Sequence, residues 1–219
     1  MSAEFLHEID ETLRAERMSS LWQTYRWAVV GGVAILFVGL AGFEWYRTTT
    51  RANQLTAATS YWSAVKDSEG NNAEALEKVA AASKLSHEGY RTLASLRLAN
   101  MYAGVGKTAE AITLFETVAG DSKADATFRD LAKLMAAQLL MATDAAKAES
   151  MLSDLRTNNS PFMYSAMEFQ AMLAENQNNK SAALNLYKQL LENDTALPAG
   201  IRDRAQMRVA ALEAERDSQ

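Results

Sequence analysis

Residues 92–118 read TLASLRLANMYAGVGKTAEAITLFETV, and this stretch decides the fold. Leu98, Ala99 and Tyr102 fall on one side of a helix, because residues three and four apart are neighbours on its surface. Gly104 and Gly106 then break the periodicity. Ala111, Phe115 and Val118 resume it at a spacing of four and then three, the rhythm of one apolar helical face. Thr108 is placed to cap the second helix, with Glu110 in its first turn beside the positive end of the helix dipole. The stretch therefore predicts two helices joined by a short turn. The alanines let their axes approach closely, and the larger side chains fill the space on either side.

Working outward, the same grammar recurs. Ala148, Leu152 and Leu155 follow Ala132, Met135, Ala136 and Leu139. Ala183, Tyr187 and Leu190 follow Met167, Ala171 and Ala174. A weaker copy has Ala75, Val79 and Ala82 after Tyr61, Trp62 and Ala64. The anchoring alanines at 75, 111, 148 and 183 are separated by 36, 37 and 35 residues. A steady period close to this resembles the tetratricopeptide repeat, in which each unit is one helical hairpin. The breakers keep the same phase. Asn71-Asn72 precedes the second helix of the first unit, and Asp144 is placed to cap that of the third. Ser160-Pro161 reads as a cap followed by proline at the first helical position. Residues 176–179 make the last internal turn. Pro198 opens a final helix whose expected inner face is Ile201, Ala205, Met207, Val209 and Leu212; its polar side would close the exposed end of a stack.

Upstream, Trp27 to Phe43 is WAVVGGVAILFVGLAGF, seventeen residues without a charge. At the helical rise that is about 26 Å, just short of the hydrocarbon core of a bilayer. Trp22, Tyr25 and Trp27 on one side and Phe43, Trp45 and Tyr46 on the other supply interfacial rings. The segment before it carries acids as well as arginines, and the apolar run ends in Glu44-Trp45-Tyr46-Arg47. Neither feature suits a cleaved signal peptide. Residues 27–46 are thus expected to be a retained membrane-spanning helix. Ala28, Gly31, Gly32, Gly39 and Gly42 gather on one side of it, where another helix could pack closely. Residues 1–26 are expected to form an amphipathic cytoplasmic helix with Phe5, Ile9 and Leu13 on one stripe. Residues 47–58, free of Pro and Gly, are a linker or a continuation of the membrane helix, and 59–219 are the repeats. The fold class is all-α: one N-terminal transmembrane helix, then a solenoid of about four hairpins plus a capping helix.

Chemistry is sparse. The net charge is −5, spread along the chain, and no basic patch argues for nucleic acid. Cysteine is absent, and the two histidines, His7 and His87, lie on opposite sides of the expected membrane helix. No phosphate-binding loop, nucleophile elbow or zinc helix motif occurs. No enzyme, cofactor, metal site or small-molecule substrate is expected, and the remaining chemistry is protein binding. In stacked hairpins the first helix of each pair lines the inner side, so Leu96, Asn100, Asp130, Lys133, Ala137, Met141, Glu168, Met172 and Glu175 are the candidate contacts. Methionine adapts to varied apolar partners, which suits a permissive groove.

Glu8-Ile9-Asp10-Glu11-Thr12-Leu13-Arg14-Ala15-Glu16-Arg17, leading to Leu21-Trp22 and Tyr25, resembles the helix before the anchor of a bacterial family. These are single-span tetratricopeptide proteins related to the ancillary subunit of the Sec translocon. The resemblance covers essentially the whole chain, although the usual tryptophan of the repeat's first helix is missing throughout. It implies an inner-membrane protein with a cytoplasmic N-terminus and periplasmic repeats. Its expected partners are translocon subunits, periplasmic chaperones or emerging clients, and its role is that of a chaperone-like scaffold. A membrane-tethered adaptor for envelope or cell-division assembly, without translocon contact, is the alternative.

Overall fold

The computed structural model describes residues 2–67, 73–157, 160–192 and 196–217, with side chains from Arg26 onward except Val29. Every regular element among them is a helix. These are α1 (Ser2–Asp67), α2 (Ala73–Ala82), α3 (Glu88–Gly104), α4 (Thr108–Gly120), α5 (Ala126–Leu140), α6 (Ala145–Thr157), α7 (Met163–Asn176), α8 (Lys180–Glu192) and α9 (Ala199–Asp217). The chain divides into two units, Met1–Leu55 and Thr56–Gln219.

In the first unit the helix is continuous and open to its surroundings. Ile35, Val38 and Trp45 are each exposed by more than 70%. Nothing lies within 4 Å of where a Cβ would stand on Gly31, Gly32, Gly39 or Gly42. Among the described residues, one helix is long and apolar enough to cross a membrane, over Arg26–Lys66, and its apolar window is wholly unburied. The backbone is helical from Ser2. The stripe of Phe5, Ile9 and Leu13 and the rings of Trp22 and Tyr25 lie outside the described side chains.

The second unit is a stack of helical hairpins. Tyr61 and Ala64 near the end of α1 join one cluster with α2 and α3; α3 pairs with α4, α5 with α6 and α7 with α8, and α9 closes the end against α8 and α7. Each helix from α2 to α9 packs on the next in sequence, and α5 also meets α7. This nearest-neighbour pattern is that of a solenoid. The four phase-setting alanines, Ala75, Ala111, Ala148 and Ala183, are at most 1% exposed. The large residues four positions on, Val79, Phe115, Leu152 and Tyr187, are as deeply buried. The first repeat is as regular as the rest by this measure, with Ala82 at 4%.

The turns repeat at the level of backbone hydrogen bonds. Gly106 has φ +79°, and the Lys107 N–H after it donates to Tyr102 O at 2.8 Å. Asn178, at φ 58°, takes the same left-handed position two repeats later, and the Asn179 N–H donates to Ala174 O, also at 2.8 Å. Glycine and asparagine are the residues that tolerate this conformation when a helix ends in a tight turn. Asn179 then caps α8, its Oδ1 accepting from the Ala182 N–H. Asp144 caps α6 in the same way, accepting from the Lys147 N–H at 3.0 Å.

Three local expectations need correction. Thr108 does not cap α4; it is the first helical residue, and the N-cap position is Lys107, without a side-chain hydrogen bond. Ser160-Pro161 lies before the start of α7 at Met163. The Ser160 hydroxyl accepts from the Phe162 N–H and donates to Asp130, tying this turn to α5. Trp62 is 63% exposed, whereas Tyr61 and Ala64 beside it join the core cluster of α2 and α3. Asn71-Asn72 lie outside the described residues.

Candidate partner-binding groove

Where α9 lies along α7, the two helices leave a groove of about 460 Å³, with the Tyr187 side chain of α8 beneath them. Its α7 wall is Glu168, Met172, Glu175 and Asn176, residues spaced by four, three and one along a single helical face. Its α9 wall is Arg204, Met207 and Arg208.

The charges in the groove are matched across it. Arg204 holds Glu168 through both carboxylate oxygens, Nε to Oε1 at 2.6 Å and Nη2 to Oε2 at 2.8 Å. Arg208 holds Glu175 in the same fashion, with Nε to Oε1 at 3.1 Å and Nη2 on the second oxygen. Bidentate pairing of this kind fixes orientation as well as charge. The two sides differ in burial. The Glu168 and Glu175 side chains are 7% and 16% exposed, whereas those of Arg204 and Arg208 are 55% and 49% exposed. The hydrogen bond from Glu168 and then its charge raise the Arg204 pKa above the usual guanidinium value. Burial, and then the neighbouring Glu168 charge, push the Tyr187 phenol up to about 12. Beyond the groove, Lys180 and Lys188 of α8 pair with Glu215 and Glu213 of α9.

Glu168, Met172 and Glu175 are thus brought together in one groove. The other candidate contacts lie elsewhere. Asn100 is exposed on α3 and donates to the Leu96 carbonyl at 3.1 Å. Lys133 pairs with Asp154 of α6, and Asp130 accepts from Ser160. Met141 is half-buried against Leu140, Ala148 and Leu173. Leu96 and Ala137 are 6% and 0% exposed and belong to the core, so neither offers free surface to a partner. The α9 wall is not among the expected contacts, and Met207, expected on the inner face, lies outside it. Met207 is 64% exposed, while Ile201, Ala205 and Leu212 are buried. Helical spacing carries the signal: two residues beyond Ala205 is more than half a turn away, on the opposite side.

No group of three or more acidic, histidine or cysteine side chains that could hold a metal ion occurs among the described residues. The chemistry the groove offers is that of paired charges and exposed thioethers.

Comparison with known proteins agrees on the architecture. The profile of the tetratricopeptide repeat-like domain matches residues 19–214. Among solved structures, the chain resembles a crystal structure of a Podosopora anserina protein with nearly identical TPR-like repeats, assigned as a kinesin light chain. The TM-score is 0.57 at 17% identity, over 74% of this chain and 87% of that one, a likeness of fold alone. A search of curated proteins gives no match.

Proposed function

Because the chain belongs to the tetratricopeptide repeat-like domain family, we propose that it is a membrane-anchored scaffold for protein–protein interaction. Residues 27–46 serve as its single membrane-crossing segment, and the repeats of 59–219 hold a protein partner. One observation carries the reading: a helix with an exposed apolar surface on every side stands on the same chain as a repeat stack with its own buried core. Trp27, Ile35, Phe37, Val38 and Trp45 are each at least 66% exposed. Apolar surface of that extent is costly in water and belongs in lipid.

The finer reading rests on the resemblance of residues 8–25 to the family related to the ancillary translocon subunit. On it, the N-terminus is cytoplasmic, the repeats are periplasmic, and the protein sits beside the Sec translocon, its chaperones and emerging clients. The small-residue face of Ala28, Gly31, Gly32, Gly39 and Gly42 is then the surface on which a partner helix packs in the bilayer. Asn100, Lys133, Met141, Glu168, Met172 and Glu175 carry the contacts of the repeat domain.

Photocrosslinking probes at Gly39 and at Met172 test it, followed by purification in mild detergent. Translocon subunits crosslinked from Gly39, and exported chains or periplasmic chaperones from Met172, are the expected products. Crosslinks only to envelope or division proteins would favour the adaptor without translocon contact. A protein that appears wholly in the soluble fraction would refute the anchor.

A further inference from the structure

The α7–α9 groove has a chemistry specific enough to name its ligand class, building on the scaffold reading above. We propose that it takes an uncharged, apolar, extended segment of polypeptide, with backbone carbonyls held by Arg204 and Arg208 and apolar side chains lodged between Met172 and Met207.

Charge selects the ligand. Each acid in the groove already has its base: Glu168 with Arg204, Glu175 with Arg208. An incoming carboxylate would meet Arg204 and Arg208 with Glu168 and Glu175 already beside them, at a cost in repulsion. An incoming cation could reach Glu168 only by displacing Arg204, and would gain little more than the displaced pair loses. A neutral segment disturbs neither pair. It also avoids stranding a carboxylate as buried as Glu168, which is the expensive way to break such a contact.

The pairs also leave hydrogen-bond donors over. A guanidinium has five N–H donors, and the bidentate contact of Arg204 uses two of them. The remaining donors sit on side chains about half exposed, available to carbonyl oxygens of a passing chain. Two arginines four residues apart on α9 stand about 6 Å apart along its axis, close to the repeat of two residues in an extended strand. Between these polar anchors, Met172 and Met207 are 41% and 64% exposed. Thioether side chains are unbranched and re-pack around different apolar shapes, which suits many sequences rather than one. The volume of about 460 Å³ falls within the range of ligand pockets.

The test uses the full chain in lipid nanodiscs and a twelve-residue peptide of leucine, serine and glutamine bearing an uncharged fluorophore. Binding is read by anisotropy, with empty nanodiscs subtracted. Matched peptides replace three glutamines by lysine or by glutamate. The uncharged peptide should bind at least about tenfold more tightly than either charged version. Met207→Asp and Met207→Lys, both at an exposed position, should each weaken it by about tenfold while helical circular dichroism is unchanged. Equal or tighter binding of a charged peptide, no binding of the neutral one, or indifference to both Met207 variants would overturn the proposal. In those cases the scaffold reading would still be judged separately, by the crosslinks from Gly39 and Met172.

Discussion

Replacing Ala111 by leucine should destabilise the repeat stack, and the structure sets the size of the effect. Ala111 is 0% exposed, and so are Ala99 of α3 and Ala132 and Ala136 of α5, which share its cluster with Phe115. Three helices therefore meet through methyl groups. Leucine adds three carbons, which in a cavity would gain about 2.4 kcal/mol at roughly 0.8 kcal/mol each. An interface closed by alanines on α3, α4 and α5 has no such cavity, so the helices must part or the side chain must leave its rotamer. Overpacking of this kind costs about 1–3 kcal/mol. In a unit of this size each kcal/mol shifts Tm by about 2–4 °C, so the variant should melt roughly 2–12 °C below the parent. Thermal melts of fragment 47–219 followed by circular dichroism give the number. An unchanged Tm would mean Ala111 faces open space, and a raised Tm that the interface holds a void; either would refute the packing described.

The fragment itself is a second test. Without residues 1–46 it should remain soluble, helical and cooperative in melting, since the hairpins and α9 form their own core; a weakly helical product would undo the repeat assignment. Met172→Asp, at a position 41% exposed, should change stability by less than about 0.5 kcal/mol, as expected at a surface position, while weakening partner capture; unfolding would place Met172 in the core. Tyr187 predicts a pH effect. Its phenol is pushed up to about 12 from the ordinary 10.0, chiefly by burial. The folded state therefore holds this proton after the unfolded chain has lost it, and the stability present below pH 10 should fall as pH rises toward 12. Tyr187→Phe should flatten that alkaline decline, and an unaltered slope would show that the phenol is not held in this way.

The hairpin stack was legible because it rests on local periodicity. An alanine, a large residue four later and an apolar residue three after that are visible in one dimension, and all twelve such positions, from Ala75 to Leu190, are at most 5% exposed. Asp144 and Gly106 were legible for the same reason, as local backbone needs decide both. The groove was only half legible. Glu168, Met172 and Glu175 could be picked from their helical face, but their partners Arg204 and Arg208 could not. Which arginine meets which glutamate depends on how far α9 slides along α7, and that is set by the packing of Ile201, Ala205 and Leu212. Met207 is apolar, which suggests an inward position, but its spacing from Ala205 puts it outward, at 64% exposed. Leu96 and Ala137 lie on the expected groove face yet are buried, because the inner helices touch neighbours on both sides, which leaves less free surface than the phase of one helix suggests.

Reporter fusions after Gln219 test most directly whether residues 27–46 hold the repeat domain on one side of a membrane. The flanking charges bias orientation only slightly, with Arg14, Arg17 and Arg26 before the apolar run against Arg47 and Arg51 after it. Alkaline phosphatase, which folds only where disulfides form, should be active in that position. A reporter that fluoresces only in the cytoplasm should stay dark there. An inactive phosphatase paired with a bright cytoplasmic reporter would place the repeats inside the cell and contradict the periplasmic scaffold.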